Sequence, residues 1–279
     1  MSLDATIAVV GHVEWIDFAV VEQVPAPGEI VHALENFAEP AGGGTVAAVQ
    51  ASHLAGATLF FTAVGDDELG AVCDRQMHEM GFELHAAART GEAQRRGWTY
   101  LDSSGERTIT VIGERLGPLG SDPLPWKLLR DCDACFVTAG DPEAIRLARQ
   151  ARVLVATPRA APELAEAGVE IDVLVGSGED ADEAAGTEAL EASAAVVVRT
   201  EGGQGGSWRA ADGAAGRWAA VPVPGPVVDS YGCGDSFAAA LTCALGAGQE
   251  MPQAIELAAR AGAACLAGRG PYGAQLTLS

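Results

Sequence analysis

Late in its length the chain reads Val227-Val-Asp-Ser-Tyr-Gly-Cys-Gly-Asp-Ser-Phe237, and this stretch is the most informative about the fold. A strand-like pair of valines leads to Asp229, a glycine-rich turn follows, and a helix of small residues begins. Gly232 and Gly234 allow a ligand to approach the backbone closely. The amides of residues 232–235 would then lie unpaired at the start of the helix, which predicts an anion-binding site.

Asp235 falls inside this predicted anion site. A carboxylate would repel an anion, but it could act as a base that takes a proton from a hydroxyl group about to attack phosphorus. The alternative is a simple helix N-cap, a position that Asp often fills. A dinucleotide-binding fingerprint is excluded, because Gly-x-Gly-x-x-Gly would need glycine where Phe237 stands.

Through much of the chain, apolar runs of strand length alternate with helical patterns. The predicted buried strands are residues 7–10, 59–64, 134–138, 152–156, 173–175 and 195–199. The predicted helices are residues 44–55, a segment that ends near residue 80, and residues 181–195, 237–245 and 252–266. Strands that are buried on both faces and separated by helices predict a mostly parallel sheet covered by helices.

Two stretches, residues 13–38 and 96–112, interrupt this rhythm with alternating apolar residues around turn sequences. Both patterns predict antiparallel hairpin strands. A β insertion beside a parallel sheet predicts a lid over the carboxyl ends of the strands, where such proteins bind their ligands. We therefore expect one α/β domain over residues 1–279, with the two lid segments inserted in it.

Composition and charge exclude several classes of protein. With 48% hydrophobic and 20% charged residues, the chain is expected to be globular, and it has no run of eighteen apolar residues that could span a membrane. The net charge of −21 disfavours nucleic acid and anionic lipid as partners. The single lysine, Lys127, has no glycine before it, which excludes a P-loop. No basic region precedes the first apolar stretch, so we expect a cytoplasmic protein without a signal peptide.

The six cysteines are expected to be free thiols, as is usual in the cytoplasm. Cys132 and Cys135 have the spacing of a redox or metal pair, but no second pair and no histidine accompany them. The sequence leaves open whether these two residues have any role.

Together these motifs resemble the ribokinase-like (PfkB) carbohydrate kinase family. Residues 229–237 are similar to the family signature Asp-Thr-x-Gly-Ala-Gly-Asp-x-Phe. Other similar segments follow the family order: Pro27-Gly-Glu29, Gly42-Gly-Gly44 with Gly56-Ala57, Val64-Gly-Asp-Asp-Glu-Leu-Gly70, Gly105-Glu-Arg-Thr108, and Thr200-Glu-Gly202-Gly-Gln-Gly205. The resemblance covers nearly the whole chain. It implies a three-layer α/β sandwich with a mostly parallel central sheet, helices on both sides and a small β lid.

The resemblance also implies an activity, the ATP-dependent transfer of the γ-phosphoryl group to a hydroxyl of a sugar or nucleoside. Asp235 would be the general base, and the amides of Gly232, Cys233, Gly234 and Asp235 would form the anion hole. Mg²⁺ bound with ATP would be the cofactor, and a monovalent cation such as K⁺ is a further expectation. A homodimer formed through the lid is the expected assembly.

Further site residues are implied by position within the family pattern. The nucleotide-binding set comprises Thr200, Gly202 and Gly205, and the acceptor-binding set comprises Gly43, Gly44, Glu14 and Asp17. Glu14 and Asp17 belong to the second set because they flank Ile16, which stands where the family has an acceptor-binding Asp. The family Asn of the acceptor site is replaced by Val46 or Ala47, depending on a one-residue shift.

These apolar replacements predict an acceptor that carries an apolar or aromatic part, or fewer hydroxyls than a hexose. The family motif Asn-x-x-Glu, which organises magnesium-bound water, aligns with Ser177-Gly-Glu-Asp180. Asp180 is therefore predicted to act on magnesium through water, and Asp229 is a second candidate for the metal. The same departures raise an alternative, a non-catalytic ligand-binding or regulatory module that kept the kinase fold. The presence of Asp235 favours the kinase.

Several other residues have two interpretations. His12, at the end of the first strand, is expected to be structural, with a place in the acceptor pocket as the alternative. Arg107 is expected to form a salt bridge in the lid rather than to bind phosphate. Trp15 and Trp98 are expected to pack in a lid or dimer surface, with stacking on the acceptor as the alternative.

Overall fold

The computed structural model of the chain describes residues 2–278. Its strands are, in chain order, β1 (Leu3–Val10), β2 (Glu14–Val20), β3 (Glu35–Ala41), β4 (Ala55–Gly65), β5 (Glu83–Arg89), β6 (Arg96–Leu101), β7 (Arg107–Ile112), β8 (Ala134–Val137), β9 (Val153–Ala156), β10 (Ile171–Ser177), β11 (Ala194–Thr200), β12 (Gly206–Ala210) and β13 (Ala215–Trp218). Its α-helices are α1 (Gly43–Leu54), α2 (Glu68–Met77), α3 (Pro142–Ala148), α4 (Ala161–Ala167), α5 (Ala181–Leu190), α6 (Cys233–Gly246) and α7 (Met251–Cys265).

The larger of two sheets has the strand order β13-β12-β11-β10-β9-β8-β1-β4-β5. Its strands from β11 to β5 pair in parallel, and β12 and β13 add an antiparallel edge. The chain runs from β1 to β4 on one side and later continues from β8 on the other side. The topological switch point therefore lies between β1 and β8, and the carboxyl ends of these strands open a crevice there.

Helices cover both faces of this sheet, as predicted from the strands' continuous apolar sequences. One core lies under α1, α2, α6 and α7, and the other lies under α3, α4 and the end of α5. α6 is buried along most of its length because its side chains are small, which lets it pack closely between the sheet and α1 and α7. The predicted three-layer α/β sandwich is confirmed.

The smaller sheet is the predicted β lid, with the strand order β3-β2-β6-β7. β2 pairs antiparallel with β3, and β6 with β7, which confirms both predicted hairpin pairings. The two halves join through parallel pairing of β2 with β6, which sequence patterns did not predict. Ile16, Phe18 and Leu101 point from the lid towards the main body and pack with Val46 and Tyr231 in a small core of their own.

Each predicted strand of the main sheet corresponds to an observed one, with small differences at the ends. The helix predicted over residues 181–195 ends at Leu190, because residues from Ala194 onward pair with β10 as a buried strand. β5, β12, β13, α3 and α4 were not predicted. No helix within residues 2–278 is long and apolar enough to cross a membrane.

Candidate active site

The candidate site lies at the crevice between β1 and β8, where α1 and α6 also begin. His12 follows β1 and Thr138 follows β8, and His12 Nδ1 lies 3.5 Å from Thr138 Oγ1. Across from them, Gly43 opens α1 and Asp235 stands in the first turn of α6. A Cβ atom at Gly43 would lie 2.9 Å from Asp235 Oδ1 and 3.6 Å from His12 Cε1. The fold thus brings four distant segments of the chain into one cleft.

The start of α6 presents backbone amides that no side chain caps. Gly232 is its N-cap, with a left-handed backbone at φ 81° and no side-chain cap. A Cβ atom there would lie 2.9 Å from Val46 Cγ1, so both the conformation and the close packing require glycine. Because the first amides of a helix have no partner within it, those after Gly232 can bind an anion.

Asp229 holds the loop that leads into this helix. Its side chain is fully buried, Oδ1 accepts a hydrogen bond from the Tyr231 amide at 2.8 Å, and Oδ2 accepts one from the Gly270 amide at 3.0 Å. Burial raises the pKa of Asp229, while these two amides oppose that rise. Both carboxylate oxygens accept hydrogen bonds from backbone amides, which favours a role for Asp229 in positioning the loop before α6. The metal-binding role of Asp229 stays a prediction.

The electrostatic surroundings of Asp235 suit a base that works near neutral pH. Asp235 is half-buried, and this burial raises its pKa to about 6. Arg159 and Arg107 lower this pKa, whereas Glu183 and Glu14 raise it. A pKa in this range leaves the carboxylate ionised at pH 7 and still able to accept a proton.

Arg159 and Glu183 form a polar cluster beside Asp235 that sequence reasoning missed. Glu183 is buried, Oε2 accepts a hydrogen bond from the Ser177 amide at 2.7 Å, and Oε1 lies 2.6 Å from Arg159 Nη2. The only sequence signal for Arg159 is its position just after the buried strand β9, at the edge of the sheet where ligands bind.

Asp180, the predicted magnesium residue, is the N-cap of α5. Its Oδ1 accepts hydrogen bonds from the amides of Asp182 and Glu183 at 3.0 Å, and Oδ2 accepts one from Arg159 at 3.0 Å. The amide of Glu183 contributes most to lowering the pKa of Asp180, so the carboxylate is ionised at pH 7. Asp180 therefore lies at the edge of the cleft, but both of its carboxylate oxygens already accept hydrogen bonds from protein groups.

The cleft fits a magnesium ion that is bound together with a nucleotide. Among residues 2–278 there is no cluster of three or more His, Cys, Asp or Glu that could hold a metal by itself. Mg²⁺ is usually held by one or two carboxylates with phosphates and water. Asp235 offers such a carboxylate, and so does Glu179, whose Oε2 would lie 3.1 Å from a Cβ atom at Gly202.

The predicted nucleotide residues lie farther along the same edge of the sheet. Thr200 ends β11, and its Oγ1 donates a hydrogen bond to the Gly176 carbonyl at 3.4 Å. Gly202 and Gly205 adopt positive φ angles of 49° and 90° in the tight turn that follows. This turn is adjacent to the end of β10, and therefore to Asp180, which follows that strand.

On the other side of Asp235, Glu14 and His12 form a buried pair. Glu14 Oε1 lies 3.6 Å from His12 Nε2 and 2.6 Å from Arg95 Nε. Burial, together with Arg115, Arg95 and Arg159, holds the pKa of His12 well below its usual value. The imidazole is therefore neutral at pH 7 and can form hydrogen bonds without carrying charge.

Two of the other predicted acceptor residues, Asp17 and Gly44, do not lie beside Asp235. Asp17 points to the opposite face of β2 from Ile16 and lies 3.2 Å from Arg96, so it is not brought to Asp235. Gly44 is buried against the backbone of His12, where a Cβ atom would lie 2.6 Å from the His12 carbonyl oxygen. Gly43 alone of the glycine pair borders the space beside Asp235.

Ile16, Val46 and Ala47 are completely buried and do not reach the cleft. Ile16 and Val46 belong to the small core between lid and body, and Ala47 faces the core under α1. The prediction of an apolar acceptor therefore loses the residues on which it was based, because a side chain without accessible surface cannot contact a ligand.

Arg107 joins the lid to the loop that precedes α6. Its Nη1 donates hydrogen bonds to the Ser230 carbonyl oxygen and to Ser230 Oγ, both at 3.1 Å. Among the described residues no carboxylate forms an ion pair with Arg107, so the expected salt bridge is replaced by these two bonds. Trp15 and Trp98 lie on the lid face that points away from Ile16, and Trp98 is 41% exposed.

Known structures share this fold over nearly their whole length. A protein of Agrobacterium tumefaciens provisionally described as a ribokinase is 20% identical, with a TM-score of 0.82 over 98% of this chain and 94% of that one. The ribokinase of Arabidopsis thaliana, solved with ribose and ATP, is 17% identical, with a TM-score of 0.74 over 98% and 96%. A nucleoside kinase of Methanocaldococcus jannaschii is 16% identical, with a TM-score of 0.74 over 99% and 96%. At these identities the likeness is one of fold.

The fold and the cleft thus define the ribokinase-like class. Residues 4–277 match the sequence pattern of the family described as pfkB family carbohydrate kinase. The chain therefore belongs to this family of phosphotransferases. Kinases of the family use ATP, generally with Mg²⁺. The family assignment favours the kinase over the alternative of a non-catalytic module. No curated protein matches the chain.

Proposed function

We propose that the chain transfers the γ-phosphoryl group of ATP to a hydroxyl of a sugar or nucleoside, with Asp235 as the general base. One observation carries this proposal: Asp235 lies so close to Gly43 that a Cβ atom there would be 2.9 Å from Asp235 Oδ1, and it stands beside the first amides of its own helix. A hydroxyl placed there would find a base and an anion site together. Phosphoryl transfer depends mainly on such positioning and on charge stabilisation.

The amides that follow Gly232 would stabilise the charge of the transferring phosphoryl group. They are fixed before any ligand arrives, because Gly232 is locked by packing and Asp229 ties the loop at both ends. Preorganised donors of this kind do not have to reorient during the reaction. Cys233 contributes its amide, and its thiol is kept protonated because the nearby Cys265 thiol and burial raise its pKa.

Thr200, Gly202 and Gly205 are proposed to border the nucleotide, and Glu14, Gly43 and His12 the acceptor. When Mg²⁺ is bound, it would neutralise phosphate charge. Glu179 and Asp235 are the carboxylates placed to help hold it, and Asp180 would act through water. Arg159 stands between the two halves of the cleft and keeps Asp235 ionised by opposing its pKa rise.

The assembly and the compartment are proposed on separate grounds. Trp98, Ile112 and Val111 expose 41%, 52% and 45% of their surface on the lid, and a second copy of the chain could cover such apolar strands. All six cysteines are free, which is consistent with a reducing cytoplasm. A requirement for K⁺ stays a prediction.

The test is Asp235→Asn, which removes the base with little change in shape. ADP release would be screened over pentoses, hexoses, nucleosides and polyols. We expect Asp235→Asn to keep nucleotide binding and to lower kcat by about 10²- to 10⁴-fold, the usual effect of losing a general base. Asp4→Asn is the matched control, because Asp4 is exposed near the amino end of β1, away from the cleft. Equal turnover in both variants would contradict the assignment.

A further inference from the structure

Tyr231 stands immediately before Gly232, the N-cap of α6, and is only 6% exposed. It occupies the position that the signature Asp-Thr-x-Gly-Ala-Gly-Asp leaves open, so its side chain is a feature of this chain. The residue contacts three parts of the molecule: the loop before α6, the start of α1 and the lid. A buried side chain at such a junction can fix these parts relative to one another.

The hydroxyl group of Tyr231 reaches the start of α1. Its Oη accepts a hydrogen bond from the Gly42 amide at 3.3 Å, in a buried contact between residues that are 189 positions apart in the sequence. Gly42 is the N-cap of α1, and a Cβ atom there would lie 3.2 Å from His12 Cδ2 and 3.1 Å from Glu14 Cγ. The hydroxyl group therefore holds the residue that lies against this buried pair and directly precedes Gly43.

The backbone of Tyr231 is fixed independently of its side chain. Its amide donates a hydrogen bond to Asp229 Oδ1 at 2.8 Å, and its carbonyl oxygen accepts one from Cys265 Sγ at 3.4 Å. The side chain between this backbone and the hydroxyl group has only two rotatable torsions, so the connection is stiff. Tyr231 therefore links the turn at Gly232 to the turn at Gly42.

The ring of Tyr231 forms the contact with the lid. It meets Phe18 edge to face, with ring centroids 5.2 Å apart and an angle of 78° between the planes, and it packs with Leu101 in the same small core. One residue earlier, the Ser230 amide donates a hydrogen bond to the Gly105 carbonyl oxygen at 3.2 Å. The lid thus contacts two consecutive residues of the loop that leads into α6.

The two sides of the cleft need such a link because glycine turns form both of them. Gly42 and Gly232 have φ angles of 85° and 81°, and glycine has more backbone freedom than any other residue. Reacting groups must be held closely, since a misplacement of about 1 Å can lower a rate by about 10²-fold. The hydrogen bond between Gly42 and Tyr231 joins the two turns directly.

We propose that Tyr231 is a positioning residue, whose hydroxyl group holds the backbone of Gly42 and Gly43 in register with the amides that follow Gly232. The proposal rests on the phosphoryl transfer proposed above and adds a residue to it. Tyr231 acts through the two glycine turns and needs no contact with either substrate. A tyrosine suits this role because its ring packs against Phe18 while its hydroxyl group reaches a backbone amide.

The test is Tyr231→Phe, which removes the hydroxyl group and keeps the ring. Tyr272→Phe is the matched control, because Tyr272 Oη donates a hydrogen bond to the Pro40 carbonyl oxygen at 2.6 Å and so also joins the body to the lid. Tyr272 follows α7 and lies outside the loop that leads into α6. Hydrogen–deuterium exchange, thermal unfolding and ADP formation with ribose, fructose and adenosine would be measured for the wild type and both variants.

We expect Tyr231→Phe to speed amide exchange in residues 42–45 and 232–236. With the best of the three acceptors, kcat should fall by about tenfold or more, while the KM for ATP should change by less than about twofold. Tyr272→Phe should lower the melting temperature by a similar few degrees, but it should leave kcat and the exchange of residues 232–236 unchanged. A merely structural role for Tyr231 would lower the melting temperature without this loss of kcat.

Unchanged exchange of both segments in Tyr231→Phe would overturn the proposal, whatever the activity of the chain, because this measurement needs no acceptor. A fully active but less stable Tyr231→Phe would overturn it too, as would an equal loss of kcat in the two tyrosine variants. Failure of the proposed function would appear differently, as undiminished turnover by Asp235→Asn.

Discussion

Gly43 and Asp235 face each other so closely that a Cβ atom at residue 43 would lie 2.9 Å from Asp235 Oδ1. The contact joins the first turn of α1 to the first turn of α6, although the two residues are far apart in the sequence. Glycine at position 43 leaves open the space in which a hydroxyl could approach the carboxylate. Its φ is not positive, so the backbone itself does not require glycine here.

Gly43→Ala should therefore separate activity from stability. The added methyl group fills the space beside Asp235 and should lower kcat/KM strongly. The fold should be unchanged or slightly stabilised, because alanine is favoured over glycine in helices by about 1 kcal/mol. The measurement pairs steady-state kinetics with thermal unfolding, and Gly56→Ala, on an exposed strand end with its nearest atoms at 3.5 Å, is the control. Full activity in Gly43→Ala would mean that the acceptor does not occupy this space.

Cys233 is predicted to matter only through its backbone. The nearby Cys265 thiol and burial raise the pKa of the Cys233 thiol, which donates a hydrogen bond to the Asp229 carbonyl oxygen at 4.0 Å, so it is neither a nucleophile nor a charge in the site. Cys233→Ala should keep kcat near the wild-type value. Gly232→Ala should lose activity, because its Cβ would lie 2.9 Å from Val46 Cγ1 in a left-handed turn, which costs about 1–2 kcal/mol. A large loss of kcat in Cys233→Ala, with the fold retained, would show that the thiol takes part.

Asp180 is predicted to have two separable roles. Asp180→Ala removes the N-cap of α5 and should lower the free energy of unfolding by about 1 kcal/mol, whereas Asp180→Asn keeps a capping oxygen and should cost less. If the carboxylate also orders magnesium-bound water, both variants should need more Mg²⁺ for half-maximal activity. Magnesium titrations at fixed ATP test this. Unchanged magnesium curves in both variants would leave Asp180 with the capping role alone.

Asp235 should also reduce the stability of the fold at neutral pH. Its pKa is about 6 in the folded chain and near 3.8 when unfolded, so the folded state holds the proton more tightly. Stability is therefore fullest below the unfolded value and is lost as the pH rises through about 6. Asp235→Asn should raise the melting temperature at pH 7 more than at pH 4. An equal shift at both pH values would show that the carboxylate is not destabilised by burial.

The sheet, the covering helices and the lid hairpins could be predicted because each follows a local pattern. Residues 7–10 and 59–64 are continuous apolar runs, and residues 96–112 alternate around a turn. The parallel pairing of β2 with β6 could not be predicted in this way, because it joins two hairpins that are distant in the sequence. β5 and α3 were missed because short, mixed segments carry little periodicity.

Within the candidate site, Asp235 and the glycine turn were found because they form one contiguous motif. Arg159 and Glu183 were not found, since each stands alone in its own segment and acquires a role only through its contact with the other. Asp17 shows the opposite limitation. It lies one residue from Ile16, and the alternation of a strand turns it to the other face, towards Arg96.

The most direct test of the central claim, that Asp235 is the ionised base, is the pH dependence of kcat/KM between pH 5 and 8. The account predicts a fall of about tenfold per pH unit below about pH 6, because protonated Asp235 cannot accept the hydroxyl proton. In Arg159→Gln the midpoint should move to higher pH, since the removed cation lowers the pKa of Asp235. A profile that is flat through pH 6, or a midpoint that Arg159→Gln leaves in place, would contradict it.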